Sequence, residues 1–252
     1  MKRYKWLLGC CLFLSIGMLW AADEPDLRML QQKAAQSRDM EGYVGVCKYL
    51  CQTEENPELL LLYADSIHQL ATKSKKPEQL VEYYIWASEG NFIKGDFQQG
   101  YALKRKAIAL AEKAGLKFAI SQSCCDMGYY CNVDARYDSA RYYFRKGLEA
   151  GEDLSEAGEA CRTMLTNYAS SFLFEGKTDS ALVYTIRASE RSAADKDTAM
   201  LIENLNQLGT IYRRKKDLEN CIANFEQALH LCELRGNHNA VAFIYGNIAT
   251  AY

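Results

Sequence analysis

Apolar residues recur along this chain at the spacing that places them on one face of an α-helix. From Ala140 to Leu148 they stand at relative positions i, i+3, i+4, i+7 and i+8, and the segment from Cys221 to Leu229 keeps most of this spacing. Such a period is typical of amphipathic helices, whereas the apolar positions of strands alternate. The pattern therefore predicts an all-α protein.

The helical pattern is itself repeated about every 40 residues. Each copy has one small residue in a first helical segment and another in a second. The small residues of the first segments are Ser88, Gly128, Ala169, Gly209 and Ala249, spaced by 40, 41, 40 and 40 residues. Those of the second segments are Gly100, Ala140, Ala181 and Cys221. Because helix backbones approach closely only where side chains are small, the copies predict stacked antiparallel helix pairs.

The clearest copy runs from Leu208 to Tyr212 with Phe225 and Ala228 following, and it resembles the tetratricopeptide (TPR) pattern. A period of 40 residues resembles the long-helix subclass found in kinesin light chains and bacterial Rap-type regulators. The resemblance implies a right-handed α-solenoid of antiparallel helix pairs, a TPR-like superhelix, over residues 78–252. Its units would lie near 81–117, 121–155, 162–196 and 202–238, with a truncated unit at 242–252.

Between residues 23 and 77 the repeat register fades, although the helical pattern persists. Helices are predicted over Leu27–Arg38, Tyr43–Cys51 and Leu59–Lys73, with Pro57 and Pro77 at helix starts, where proline is tolerated. The terminal unit of a repeat array faces water on one side and loses the consensus pattern. We therefore interpret residues 23–77 as divergent helices that cap the array.

Residues 1–22 have the organisation of a signal peptide. Basic residues stand among the first five positions, an uncharged stretch runs from Trp6 to Trp20, and Ala21-Ala22 follows. This predicts export to the periplasm or cell envelope. Two alternatives are an uncleaved membrane anchor and a lipoprotein, since Leu7-Leu8-Gly9-Cys10 resembles a lipobox. A membrane association is expected only through this segment or through one beyond residue 252.

The charge balance disfavours nucleic acid as a partner. The chain has 30 basic and 32 acidic residues and a formal net charge of −2. Loss of residues 1–22 would remove Lys2, Arg3 and Lys5 and make the remainder more acidic. Because neutralising phosphates requires a basic surplus, no nucleic-acid partner is predicted.

Cysteine is frequent, with ten residues, of which eight follow the signal segment. Their spacing fits neither a zinc ribbon nor a Cys-x-x-Cys redox motif. We interpret most of them as small buried residues. The alternative is a disulfide, either Cys47–Cys51 or one between helices.

The sequence shows no constellation of catalytic residues. His68, His230 and His238 stand in unrelated contexts, and no phosphate-cradling glycine motif is present. We therefore predict no catalytic site, no cofactor and no metal site, and a protein that is not an enzyme.

The resemblance places a partner-binding surface on the first helix of each unit, which lines the concave face of such arrays. Aromatic and arginine side chains can anchor a partner, and asparagine can hydrogen-bond a peptide backbone in both directions. The alternative is that several of these side chains only pack or are solvated. The candidates are Phe92, Tyr129, Asn132, Thr166, Ser170, Phe174, Asn206, Thr210 and Arg213.

Together these patterns predict a non-catalytic scaffold that binds a protein or peptide outside the cytoplasm. We expect it to be the N-terminal sensor or interaction part of a longer protein. The alternative is the sensory segment of a signalling regulator or enzyme. Its membrane and output domains, a kinase or DNA-binding domain, would then lie beyond residue 252.

Overall fold

The structure, a computed structural model, describes residues 27–54 and 56–251. The predicted signal segment, residues 1–22, lies outside the described residues. Within them the chain forms twelve α-helices joined by short turns, and a 3-10 turn at Ser155–Ala157 precedes α8. The α-helices are α1 (Leu27–Ser37), α2 (Met40–Thr53), α3 (Pro57–Ser74), α4 (Pro77–Lys94), α5 (Phe97–Ala114), α6 (Lys117–Val133), α7 (Tyr137–Gly151), α8 (Gly158–Glu175), α9 (Thr178–Ala194), α10 (Thr198–Arg214), α11 (Leu218–Leu234) and α12 (His238–Ala249).

The chain divides into two compact units. The described part of the N-terminal unit comprises residues 27–127 and 149–154. The C-terminal unit comprises residues 128–148 and 155–251. In each unit, helices that follow one another in sequence pack together, and their short connections make neighbouring helices antiparallel.

Each unit has its own apolar core. In the N-terminal unit it includes Val46, Leu60 and Ile85, all at most 2% exposed. In the C-terminal unit, Phe225 and Ile244 are fully buried within a cluster formed by α10, α11 and α12. These residues occupy the apolar stripe of each helix, so the helical period of the sequence accounts for both cores.

Side-chain caps fix where α10, α11 and α12 begin. Asp197, Asp217 and Asn237 each accept a hydrogen bond from the backbone N–H three residues later, at 3.0–3.1 Å. Such caps satisfy donors that the first helical turn leaves unpaired. They recur every 20 residues, once for each helix of a pair.

Turns after the first helix of each pair use the same backbone conformation. Gly95, Ala135, Gly176 and Lys216 all have a positive φ, of 91°, 55°, 84° and 60° respectively. Glycine adopts this left-handed conformation without a steric penalty, whereas Ala135 and Lys216 adopt it despite a Cβ atom. Their spacing of 40, 41 and 40 residues is that of the sequence repeat.

Helix pairs of the structure begin four residues before the unit boundaries expected from the sequence. The pairs start at Pro77, Lys117, Gly158 and Thr198, and α12 starts at His238. The expected boundaries stand seven residues before the small residue of each first segment, whereas the helices begin eleven residues before it. The repeat pattern does not mark the first helical turn, so boundaries taken from it fall later than the helix starts.

Within residues 27–54 and 56–251, no helix combines the length and the apolar character needed to cross a membrane.

Candidate partner-binding surface

Three of the predicted surface residues are buried inside the C-terminal unit. Asn132 is 2%, Thr166 1% and Ser170 5% exposed. Their polar groups connect neighbouring helices. Asn132 Nδ2 on α6 donates to the backbone carbonyl of Asn167 on α8 at 3.0 Å. Thr166 Oγ1 donates to Asn204 Oδ1 at 2.9 Å. In this structure the three side chains hold neighbouring helices together, and they are not available to a partner.

Phe92 is also buried, at 3% exposure, in the N-terminal unit. A Cβ atom on Gly100 would lie 2.7 Å from the Phe92 ring, so the ring fills the space that this glycine leaves. Phe92 also meets the ring of Tyr101 edge-on, with ring centroids 5.2 Å apart. Phe92 therefore packs between α4 and α5.

The remaining candidates of α10 form a polar stripe with Asn247 of α12 and with Thr250, the residue that follows α12. We define the polar stripe as Asn206, Thr210, Arg213, Asn247 and Thr250. The first four are half-buried and Thr250 is exposed. Asn247 Nδ2 donates to Asn206 Oδ1 at 2.7 Å, and Arg213 Nη1 donates to Thr250 Oγ1. The first three lie at i, i+4 and i+7 on α10, which places them on one helix face.

The polar stripe retains hydrogen-bonding capacity after these contacts are made. Asn206 uses its Oδ1, but its Nδ2 has no partner among the described residues. Asn247 uses its Nδ2, and its Oδ1 is left without one. A side-chain amide carries two N–H donors and an acceptor oxygen. The pair thus offers one donor group and one acceptor group, the two kinds that a peptide bond pairs with.

The two aromatic candidates are half-buried. Tyr129 meets Tyr130 in an edge-on arrangement with ring centroids 5.2 Å apart. Phe174 lies 6.3 Å from the ring of Tyr137. Both rings keep part of their surface open, so their role in binding stays a prediction.

One buried position of the second helices differs between the pairs in a way that the sequence analysis missed. Lys104, Phe144, Thr185 and Phe225 stand four residues after the small residue of their helix, and all are fully buried. We call this position the core slot. It holds phenylalanine in two pairs and a polar residue in the other two.

Each polar core-slot residue belongs to a hydrogen-bonded network that includes side chains on two first helices. In the C-terminal unit, Thr185 Oγ1 donates to Gln207 Oε1 at 2.9 Å, and Gln207 Nε2 donates to Ser170 Oγ at 2.6 Å. In the N-terminal unit, Lys104 Nζ lies 2.5 Å from Glu89 Oε1 and 2.9 Å from Asp126 Oδ2. Glu89 and Ser170 hold equivalent repeat positions, as do Asp126 and Gln207. Equivalent positions are therefore linked once by charged groups, directly through Lys104, and once by neutral groups, in a chain through Gln207.

Comparison with known proteins bears on the fold. No protein-family model matches the sequence, and no curated protein matches it significantly. Among solved structures, the apo form of RapI aligns with a TM-score of 0.70 at 10% identity, over 99% of this chain and 70% of that one. A signal-transduction ATPase of Pyrococcus horikoshii with a tetratricopeptide repeat sensor aligns with a TM-score of 0.64 at 14% identity. That alignment covers all of this chain and 44% of the ATPase.

The fold is TPR-like. The predicted all-α class with adjacent antiparallel helix pairs is confirmed by the helices and by these alignments. A third structure, PlcR of Bacillus thuringiensis in complex with the peptide PapR7 and DNA, aligns with a TM-score of 0.56 at 14% identity. It is matched over 96% of both chains. At such low identity the likeness concerns the fold alone.

Glu203 adds a titratable group to the face of this TPR-like unit that carries the polar stripe. It lies one turn before Asn206 on α10 and is half-buried. Burial raises the pKa of its carboxyl to about 8, and the negative charge of Asp197 adds to the effect. A carboxyl with a pKa in this range changes charge near neutral pH.

Most of the cysteines are buried, and burial suppresses the thiolate form of Cys47 and Cys232. All eight in the described residues are free thiols, seven of them buried and Cys51 half-buried. Burial raises the pKa of Cys232 to about 11 and raises that of Cys47 still further. Because the thiolate is the reactive form, such groups are inert at neutral pH. The interpretation of these residues as small buried side chains is confirmed.

Asn247 was not among the residues predicted from the sequence, although the repeat contains a signal for it. Asn167, Gln207 and Asn247 stand at 40-residue intervals, so an amide recurs at this position in three successive first helices. The core slot carried a similar signal, because the repeat register aligns Lys104 with Phe144 and Phe225. The residues at equivalent positions of successive repeats indicate both Asn247 and the core slot.

Proposed function

We propose that this chain is a non-catalytic scaffold that binds a protein or peptide on the polar stripe, outside the cytoplasm. Asn206, Thr210 and Arg213 of the stripe were candidates from the sequence, and the structure adds Asn247 and Thr250. The peptide bound in the PlcR complex supports a peptide partner, because PlcR shares the fold. Export is supported by the signal-peptide pattern of residues 1–22.

The observation that carries the proposal is the contact between Asn206 and Asn247. Each asparagine places one half of its amide in this 2.7 Å hydrogen bond and leaves the other half uncommitted. An extended peptide backbone presents alternating N–H and C=O groups, so it can satisfy the Oδ1 of Asn247 and the Nδ2 of Asn206 together. Leaving such half-buried groups unpaired is unfavourable, and a bound backbone removes that penalty.

The positions of the other residues of the polar stripe also favour peptide binding. Thr210 Oγ1 donates to the backbone carbonyl of Asn206 at 3.1 Å, which fixes the Thr210 hydroxyl one turn further along the same helix. Arg213 lies at the far end of the stripe, where its contact with Thr250 fixes the guanidinium between α10 and α12. Groups held in place before binding lose less entropy when a ligand arrives. The stripe therefore provides oriented amides and one cation on two neighbouring helices.

Selection from a displayed library of random peptides tests the proposal. Residues 23–252 serve as bait, in parallel with an Asn206→Ala/Asn247→Ala variant. Asn239→Ala is the matched control, because Asn239 is an exposed asparagine of α12 outside the stripe. We expect peptides that bind the wild type and the control at least ~10-fold more tightly than the double variant, given ~1.4 kcal/mol for a tenfold change. Selected peptides that bind all three proteins equally would refute the stripe as the binding surface.

A further inference from the structure

A second cluster in the C-terminal unit combines tyrosines with arginines on α7, α8 and α9. The ring centroids of Tyr168 and Tyr184 lie 4.7 Å apart in an edge-on arrangement. Phe172, one turn after Tyr168, stacks on Tyr184 with a centroid distance of 5.2 Å and an interplanar angle of 3°. The three rings form a rigid aromatic wall between α8 and α9.

Arginines of α7 line this wall in antiparallel register. Arg141 lies over the Phe172 ring, with its Cζ 4.6 Å from the ring centroid. Arg145 stands one turn further along α7, and its charge acts on Tyr168, one turn back along α8. On the α9 side, the Cζ of Arg187 lies 5.6 Å from the centroid of the Tyr184 ring. Cations therefore approach the two tyrosines from both sides.

Arg145 and Arg187 differ from Arg141 in lacking an acidic partner. Arg141 is paired with Asp138 and with Glu175, whose Oε2 lies 2.7 Å from Arg141 Nη1. The other oxygen of Glu175, Oε1, lies 2.9 Å from Lys177 Nζ, so both carboxylate oxygens of Glu175 have a cationic partner. Arg145 and Arg187 are both exposed, and neither pairs with a carboxylate of the described residues. The cluster thus keeps two uncompensated positive charges in a chain of net charge −2.

The hydroxyl groups add neutral donors to these charges. Burial raises the pKa of Tyr168, and the neighbouring Tyr184 raises it further, against the opposing effect of Arg145 and Arg141. Tyr168 therefore keeps its proton at neutral pH. Because its hydroxyl is hydrogen-bonded to that of Tyr184, the two hydroxyl groups together keep one donor for a ligand. Guanidinium groups bind phosphate oxygens through paired N–H donors, and phenol hydroxyls supply further donors.

We propose that Arg145, Arg187, Tyr168 and Tyr184 form a binding site for a phosphate monoester. Two guanidinium groups match the charge of about −1.5 to −2 that such an ester carries at pH 7, whereas a carboxylate supplies only one charge. The aromatic wall favours an ester whose phosphate is attached to a flat, apolar group. This site is separate from the polar stripe on α10 and α12, and the inference does not depend on the proposed peptide binding.

Titration with phenyl phosphate, followed by amide chemical shifts in NMR, tests the site. Residues 23–252 are compared with an Arg145→Gln/Arg187→Gln variant at one fixed, low ionic strength, because salt screens exposed charges. The control variant is Arg105→Gln/Lys113→Gln, which removes two exposed cations of α5 and so matches the change in net charge. Thermal unfolding of all three proteins verifies that they are folded.

We expect saturable shifts in α7, α8 and α9 and an affinity at least ~10-fold lower in the Arg145→Gln/Arg187→Gln variant. The control variant and Asn206→Ala/Asn247→Ala should bind phenyl phosphate like the wild type. Benzoate should bind more weakly than phenyl phosphate. Binding of benzoate as tight as that of phenyl phosphate would overturn the assignment to phosphate. An equal loss of phenyl phosphate affinity in the Arg105→Gln/Lys113→Gln control would show that only the net charge matters, which would also overturn the site. Absence of saturable binding to the wild type would overturn the site itself.

Discussion

Phe225 lies so close to Gly209 that a Cβ atom on residue 209 would be 2.6 Å from the Phe225 ring. A glycine likewise faces Phe144, at position 128. In the pairs whose core slot is polar, the first-helix residue is Ala169 or Ser88 instead. Where the core slot holds phenylalanine, the facing position of the first helix is therefore glycine. Where the core slot holds a polar residue, that facing position is alanine or serine.

Replacing Gly209 with alanine should destabilise the protein. The added methyl group meets a buried ring between α10 and α11 that has little room to move, and overpacking of this kind costs ~1–3 kcal/mol. Urea unfolding followed by circular dichroism measures the change. Gly246→Ala is the control, because Gly246 lies within α12 and a Cβ atom there would meet nothing within 4 Å.

The control substitution should act in the opposite direction. Alanine is favoured over glycine within a helix by ~0.5–1 kcal/mol, so Gly246→Ala should stabilise the protein slightly. A Gly209→Ala protein as stable as the wild type would contradict the packing account, whatever the control shows.

Lys104→Met should be strongly destabilising. Burial alone would lower the pKa of Lys104, but the charges of Asp126 and Glu89 raise it, so Lys104 is charged at neutral pH. Removing the ammonium leaves the buried Glu89 carboxylate without its 2.5 Å partner. Breaking one side of a buried ion pair costs ~3–5 kcal/mol, which denaturant unfolding can measure.

A fourfold variant separates charge from packing at the same place. Ser88→Gly, Glu89→Tyr, Lys104→Phe and Asp126→Asn together install the residues found at these positions in the next repeat. The variant removes all three charges of the network together and leaves no buried charge unpaired, so it should lose less stability than Lys104→Met alone. A larger loss would show that the repeats are not interchangeable at the core slot.

Glu203→Gln should change how stability depends on pH. The pKa of Glu203 is about 8 in the folded protein and 4.5 in a free side chain, so the folded state binds this proton more tightly. Its contribution to stability is complete below pH 4.5 and is lost as the pH rises toward 8. The glutamine variant lacks this loss.

The urea midpoints of the wild type and of Glu203→Gln should therefore diverge in favour of the variant between pH 5 and pH 8. Glu226→Gln, at an exposed position of α11, serves as the control and should show no such trend. A difference between Glu203→Gln and wild type that stays constant over this range would disprove the pKa assignment.

The fold class could be predicted from the sequence because two independent patterns repeat with the same period. Small residues at 40-residue intervals and helical periodicity identify the same helix pairs, as Gly209 with Phe225 and Gly128 with Phe144 illustrate. Boundaries were less accurate, since capping residues such as Asp197 carry no apolar signal. The 40-residue period and the close packing of paired helices both depend on the size of side chains at fixed positions. A single sequence shows those sizes directly.

Predictions for the candidate surface were less complete, for a physical reason. Register alone places Thr166 and Asn206 at equivalent positions, but the helix packed beside each decides which one is exposed. Asn204 covers the hydroxyl of Thr166, whereas Asn206 meets only another amide. Burial of polar groups depends on such pairwise contacts between helices, and one sequence without its coordinates does not give them.

Hydrogen exchange of the protein with and without a selected peptide shows directly whether the polar stripe binds that peptide. We expect slower exchange on binding in α10 and α12, centred on the turns that contain Asn206 and Asn247, with little change in α11. Protection of α11 or α9 with α10 and α12 unaffected would contradict it, because the partner would then occupy another face of the C-terminal unit.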